Sequence, residues 1–530
     1  MKQHLRSIAA GSLLLALTAG YPAWAQKRGG ILRLASPASP ANMSIHEAAT
    51  IVVVMPMMGV FNNLIVFDQH KPQVSLDTIV ADLATSWSWN EDDTALTFQL
   101  RQDVKWHDGK PFTATDVKCT WDLLLDKVPD KLRLNPRKNG FENLADITTN
   151  GDYEVTFKLK RQQPAFPMLL AGGFSAIYPC HFTATQMRQH PIGTGPFKFV
   201  EFKPNQGIKV ARNPDYWKKD RPYLDGIEYT IIQEPSIADL AFVSGKFDMT
   251  FPFELSVPRY NNMRARVPDA VCELSPRPVN THLLINRAQP PFDSPDLRRA
   301  MALAIDRKAY VDTLGQGEDE IGGVLQPPPA GLWGMPQDEI AKLPGYGLDV
   351  QKNREEARAL VRKLGYGPAN RLKIKVTTRD WSLYRDPAVL LIDQLRQIFI
   401  DAELDPVDTA QYFPKILRKE YTVALNLQAA GPDPDSVMQL LYGCGASLNW
   451  DNFCNPEIDE LIEAQSREDN AVKRKQILWS IERKLANDDV RPIIFYPRGG
   501  TCGRSYLKGL TIMINGTSNS WRMEDVWLDK

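Results

Sequence analysis

Catalytic signatures are what this sequence most plainly lacks. None of GxSxG, GxxxxGK[ST], GxGxxG or HExxH occurs in its 530 residues. The nucleophile elbow, the phosphate-cradling loop, the dinucleotide turn and the zinc-protease helix are therefore missing as starting points. Histidine is scarce as well. The seven are His4, His46, His70, His107, His181, His190 and His282, and no two stand at metal-ligand spacing, so no metal site is expected. Net charge is absent: Lys+Arg and Asp+Glu both number 63. That argues against a nucleic-acid partner, which would demand a basic excess. No stretch approaches about 18 uninterrupted apolar residues, so no spanning helix is expected. Nothing calls for a cofactor.

What is present begins with an unusual N-terminus. Lys2 and Arg6 are the only charges among the first 25 residues, an apolar stretch runs from Ile8 to Ala19, and Ala23-Trp24-Ala25 follows. This is the layout of a secretory signal peptide, with cleavage expected after Ala25 to leave Gln26 first. No cysteine lies near that site, so no lipid anchor is implied. The mature chain is expected to be exported. In an oxidising compartment the six cysteines suffice for three disulfides. Cys444 and Cys454 are the easiest pair, because they bracket the short loop GASLNWDNF; the connectivity of the others stays open at this level.

Periodicity places strands and helices alternately along the chain. GILRLAS (30–36), TALTFQLR (94–101), YEVTFKLK (153–160), GIKVARN (207–213) and GIEYTII (226–232) alternate as strands do. Thr113 with Asp116, and Ser236 with Asp239, have the spacing of capping boxes at helix starts. Ser294-Pro295-Asp296 opens a helical pattern that runs to a stop at Gly315. QKNREEARALVRKLG (351–365) is amphipathic, and 456–486 holds two helices broken near Ser466–Asp469. GVLQPPPAGLWGMP (323–336) reads as a long surface loop with polyproline character. The interleaving predicts an α/β or mixed α+β class.

The stretch LNLQAAGPDPDS (425–436) looks most like chemistry. An apolar alternation runs into Gly431-Pro432-Asp433-Pro434-Asp435, and the two prolines end any strand there. Asp433 and Asp435 could serve as an acid/base pair or a cation site. A cation would want further converging oxygens, which leaves turn and cap roles as the physical reading. An exported, charge-neutral chain of this length without a catalytic signature suits a binding protein better than a hydrolase.

A set of motifs in order then carries a resemblance. DLATSWSWNEDDTALTFQLRQDVKWHDGKPFTATDVKCTWD (82–122), IGTGPFKFVEFKP (192–204), NPDYW (213–217), PYLDGIEYTII (222–232), GKFDM (245–249), INRAQPPFDSPDLRRAMALAIDRKAYVD (285–312) and NPEIDELIEAQS (455–466) together resemble the family 5 extracellular solute-binding proteins. These are the dipeptide, oligopeptide and nickel receptors of ABC importers. The resemblance implies a periplasmic-binding-protein type II-like fold, two lobes with a hinge and an additional subdomain on the first lobe. Carried over, lobe I comprises 26–75, 190–279 and 491–530, the extra subdomain 76–189, and lobe II 280–490. It implies one disulfide within each unit: Cys119–Cys180, Cys272–Cys502 and Cys444–Cys454. The implied partners are a peptide or other small organic ligand and an inner-membrane ABC permease complex; the protein is expected to be a monomer and not an enzyme.

The resemblance also proposes ligand-binding positions. The loop holding Asn42 and Met43 lies where the family's first ligand loop lies. Arg379 and Trp381 resemble the Arg-x-Tyr that holds a dipeptide's carboxylate, with Arg385 as the alternative, and Trp450 could supply an aromatic wall. In peptide-binding members the segment matching LNLQAAGPDPDS reads like W-x-A-D-Y-x-D-P, and its first aspartate takes the ligand's α-ammonium. Here that position is Ala430, followed by Gly431. A methyl group cannot pair an ammonium, so the resemblance leaves two alternatives beside a peptide, a non-peptide solute or a metal chelate; an exported hydrolase is the reading from another class.

Overall fold

Alternation of apolar and polar residues builds the sheets of this protein. Its computed structural model describes residues 26–48, 50–277, 279–347, 349–429, 431, 433–514 and 521–530. The signal peptide read at 1–25 and the position Ala430 lie outside the described residues. Among the described residues three sheets have four or more strands. In the first, Ile31–Ser36 pairs in parallel with Gly226–Ile231, which continues antiparallel into Gly207–Arg212 and Phe197–Lys203. The second is an antiparallel sheet in the order Ala84–Trp89, Ala95–Leu100, Glu154–Leu159, Leu144–Thr149. The third has five strands in the order Ile400–Val407, Leu372–Arg379, Val423–Ala429, Val279–Ile285, Ile493–Phe495. Its first three strands run parallel and the last two pairings are antiparallel. The predicted mixed α/β class holds.

Two large cores lie behind these sheets. One collects Leu32, Phe61, Phe98, Trp121, Phe157, Met249 and Trp521, so the first two sheets share it. The other runs from Leu283 to Tyr496 around the five-stranded sheet. A two-stranded ribbon, Val271–Pro276 against Arg498–Gly503, connects the regions and sets Cys272 opposite Cys502. All six cysteines are paired: Cys119–Cys180, Cys272–Cys502 and Cys444–Cys454. The backbone places the Cα atoms of the pairs 5.5, 4.1 and 4.5 Å apart.

The sequence motifs resolve into close packing. Thr113 and Asp116 form the expected capping box, with Thr113 N donating to Asp116 Oδ2 at 2.9 Å. In IGTGPF the glycines serve backbone approach: a Cβ on Gly193 would sit 2.0 Å from Val60 O, and one on Gly195 2.6 Å from Gly59 O. His107 spans the same junction, its Nδ1 3.2 Å from Gly193 N and its Nε2 3.1 Å from Gly195 O. Burial lowers its pKa to about 4, so it is a neutral structural residue.

Three local expectations are corrected. The pattern from Ser294 to Gly315 is two helices, Pro295–Ala304 and Arg307–Gly315. Ile305 is extended, and Asp306 caps the second helix by accepting from Ala309 N at 3.1 Å. The helix expected from Ser236 is Pro235–Val243, starting at Glu234 because the proline suits its first turn. The 323–336 loop is a surface feature only in its middle, where Pro328, Pro329 and Leu332 are exposed, and its two ends are anchored inside. Val324, Leu325, Gln326 and Met335 are buried, and Glu482 holds the loop by accepting from Leu325 N at 3.0 Å and Met335 N at 3.3 Å.

Burial raises the Glu482 pKa from 4.5 to about 8, against those backbone donors. The folded state thus keeps a proton that the unfolded chain releases above pH 4.5, and stability falls as pH rises through that window to about 8. One group contributes a slope of at most about 1.4 kcal/mol per pH unit. Glu482→Gln should flatten the urea midpoint against pH between these limits; an unchanged slope would show that Glu482 ionises in the fold as it does unfolded.

Candidate functional site

The strand Leu372–Arg379 ends with its last four residues buried, although it closes on Thr377, Thr378 and Arg379. This is the carboxyl end of the parallel part of the sheet, where crevices form in open α/β sheets. The neighbouring strand Val423–Ala429 runs parallel to it and delivers Gln428, Ala429 and Gly431 to the same place. Here a cleft with a cavity of about 180 Å³ opens. Its walls come from three stretches: Thr50 to Ser175, Pro252 to Val279, and Arg379 to Trp450. Met168, Phe174, Phe253, Trp381, Phe413 and Trp450 make much of the lining apolar.

Arg379 is the centre of one wall. It is 1% exposed. Its Nε donates to Thr409 Oγ1 at 2.8 Å, and its guanidinium carbon lies 4.6 Å from the Trp381 ring, 5.3 Å from Tyr384 and 5.5 Å from Phe413. Nη2 has no hydrogen-bond partner among the described residues. Burial pushes its pKa down, with Tyr384 opposing. Trp381, the residue before helix Ser382–Arg396, points its Nε1 across the cleft to both carboxylate oxygens of Glu254, at 3.2 and 3.1 Å.

Glu254 is the acidic residue of the lining, and it is already engaged. Arg259 Nη1 lies 3.3 Å from Glu254 Oε1, while the rest of that guanidinium clasps Asp239 at 3.0 and 2.7 Å. Burial raises the Glu254 pKa; Arg259 and Arg277 oppose it.

Arg277 enters from the end of the strand Val271–Pro276 and is 4% exposed. Burial lowers its pKa to about 10, with Glu254 and Asp319 opposing. Its Nε and Nη2 find no partner among the described residues, because that side lies on Gly499. A Cβ at Gly499 would stand 2.1 Å from Arg277 Nε and 2.6 Å from the Phe253 carbonyl oxygen. Gly499→Ala should therefore push the guanidinium and a backbone carbonyl aside and cost about 1–3 kcal/mol. A urea midpoint equal to that of the parent would contradict this packing.

Arg137 completes the set. It precedes the turn Lys138–Phe141, stacks 3.7 Å above the Phe174 ring and donates from Nη2 to Ala48 O at 3.0 Å. Burial alone lowers its pKa to about 9.

The positions read from sequence are thus only partly gathered. Arg379, Trp381, Gly431 and Trp450 line the cleft. Trp450 is 2% exposed, and its Nε1 has no partner among the described residues. Asn42 and Met43 are not among the lining residues: Asn42 Oδ1 caps Ser44 N at 2.8 Å, and Met43 is fully buried in the first core. Arg385 is not among the lining residues and is held instead in a partly exposed ion pair with Asp380 at 2.9 Å. Ala430 lies outside the described residues. Reading by sequence missed Arg137, Glu254 and Arg277. Only Arg277 carried a signal, as a charge held between Pro276 and Pro278 at a presumed boundary.

Asp433 and Asp435 face away from chemistry. Arg474 donates to Asp433 Oδ2 at 2.9 Å and Oδ1 at 2.6 Å, and Asp433 Oδ1 accepts from Asp435 N at 2.9 Å. Asp435 accepts from Gln465 at 2.9 Å and from Gln163.

Similarity to known proteins extends over most of the chain. The family model described as bacterial extracellular solute-binding proteins, family 5, matches residues 78–449. Di/tripeptide-binding protein 1 of Pseudomonas aeruginosa is 26% identical over 453 residues, covering 79% of this chain and 80% of that protein. The oligopeptide-binding protein AppA of Bacillus subtilis is 26% identical over 471 residues, covering 82% and 81%. In fold, the chain is similar to the periplasmic binding protein DppA of Helicobacter pylori in complex with the peptide STSA, with a TM-score of 0.83 at 22% identity and 95% and 99% of the two chains covered.

Proposed function

The chain belongs to the bacterial extracellular solute-binding proteins of family 5, and from that premise we propose that it is the periplasmic receptor of an ABC importer, capturing a peptide or peptide-like organic solute for an inner-membrane permease. The observation that carries this reading is Arg379, a cation buried in an aromatic cleft with one Nη lacking a partner. A guanidinium so placed is ready to donate to a solute carboxylate. We assign residues 1–25 to a signal peptide cleaved after Ala25, and the mature chain to a monomer.

The partition expected from the sequence gives the cleft its mechanics. Lobe I (26–75, 190–279, 491–530) supplies Glu254 and Arg277, the subdomain (76–189) supplies Arg137, and lobe II (280–490) supplies Arg379, Trp381 and Trp450. The Trp381–Glu254 hydrogen bonds then join the lobes, as closure about a hinge would. Further bonds join subdomain and lobe II: Ser447 N donates to Asn139 Oδ1 at 2.8 Å and Arg161 Nη1 to Ser466 Oγ at 3.1 Å. Capture is binding without turnover, so the protein acts as a carrier, not a catalyst.

Thermal-shift titration against di- and tripeptides and small organic acids tests the reading. A saturable rise in melting temperature, with the solute recovered intact, is expected. Recovery of a cleaved or altered solute would defeat it, as would a flat response across every charge class.

A further inference from the structure

Charge inside the cleft is unbalanced. Arg137, Arg277 and Arg379 line it at 9%, 4% and 1% exposure, and none has a carboxylate within 4.0 Å among the described residues. The acid of the lining, Glu254, is held by Arg259 and Trp381. The other acid near Arg277, Asp319, accepts from Arg498 N at 2.7 Å. Three guanidiniums thus share a lining whose one carboxylate is already in use. Taking unpaired charge out of water is costly, and burial lowers the pKa of all three.

Resting on the receptor reading above, we propose that Arg137 and Arg277, unpaired beside Arg379, select a solute of net negative charge: an acidic peptide or an N-blocked peptide-like acid with at least two carboxylates. The three arginines stand on separate elements, before the turn Lys138–Phe141, after the strand Val271–Pro276 and at the end of the strand Leu372–Arg379. A polyanion can therefore engage more than one wall at once, and its charge replaces the missing counter-ions. In the low dielectric of a closed cleft each such pairing is stronger than in water. A cationic side chain on the solute would meet the same unpaired arginines and be repelled.

Calorimetric titration with Ala-Glu, N-acetyl-Ala-Glu, Ala-Ala and Ala-Lys separates the cases. Ala-Glu and its acetylated form should bind at least about tenfold tighter than Ala-Ala, and Ala-Lys weakest. Arg277→Gln and, independently, Arg137→Gln should each shrink the Ala-Glu to Ala-Ala ratio. Ala-Ala or Ala-Lys binding as tightly as Ala-Glu overturns the charge selection and leaves the receptor reading standing. A ratio unchanged in both variants overturns the assignment to these arginines. If none of the four binds while the wider solute panel still gives a saturable thermal shift, the charge selection is overturned and the receptor reading stands.

Discussion

Arg379→Ala is expected to abolish solute capture while leaving the unliganded protein as stable as its parent, or slightly more stable. Truncating one partner of a desolvated charge pair costs about 2–5 kcal/mol, which is roughly 30-fold to several-thousand-fold in Kd. The same change removes from the empty protein a buried cation whose hydrogen bond is to the Thr409 hydroxyl and whose other neighbours are rings. Loss of ring contacts and loss of an unpaired charge act in opposite directions on stability. Arg379→Lys is the sharper variant. It keeps the charge but not the planar fork, and it cannot both reach Thr409 and present a second donor in plane; affinity should fall by about tenfold or more. Calorimetry for affinity and urea melts without solute measure the two halves separately. Full affinity in Arg379→Ala would remove this residue from the site, and a large loss of unliganded stability would make it a structural residue instead.

Arg474→Met is expected to be the most destabilising single change near the cleft. The Arg474 guanidinium binds both Asp433 oxygens, the Gln465 side chain and the Gln465 carbonyl, and lies 4.5 Å from the Trp333 ring. Both partners are more than nine-tenths buried. Removing the cation leaves the Asp433 carboxylate inside the protein without its guanidinium, a loss of about 3–5 kcal/mol. The double variant Asp433→Asn, Arg474→Met should recover much of this, because it buries no charge. Urea midpoints of the single and double variants measure the difference. A single variant within about 1 kcal/mol of the parent would mean that the pair is solvated like a surface bridge. Since Asp435 also accepts from Gln163, the single variant should loosen the contact between the 76–189 segment and the five-stranded region.

These two arginines mark the limit of what sequence reading reached. Arg379 was legible through its family motif, and its burial fits the strand that carries it. Arg474 was not, because a charged residue in an amphipathic helix reads locally as solvent-facing. For the aspartates of LNLQAAGPDPDS, cap and turn chemistry was the correct physical choice: Asp433 accepts from Asp435 N, as a residue opening a short helical turn does. Its bidentate partner stands 41 residues away and leaves no trace in local spacing. The pattern from Ser294 to Gly315 shows the reverse error, since helical periodicity survives across the break at Ile305 and hides it.

Determined by the sequence alone were the alternation of strands and helices, the Thr113 and Ser294 caps and the family motifs. Each of these is written in residues within a few positions of one another, because period and capping are short-range properties. The tertiary structure alone decided the charge of the cleft. Arg137 and Arg277 look like ordinary surface cations in their own segments, and they join Arg379 in one lining only where the folded chain buries them together without a paired carboxylate among the described residues.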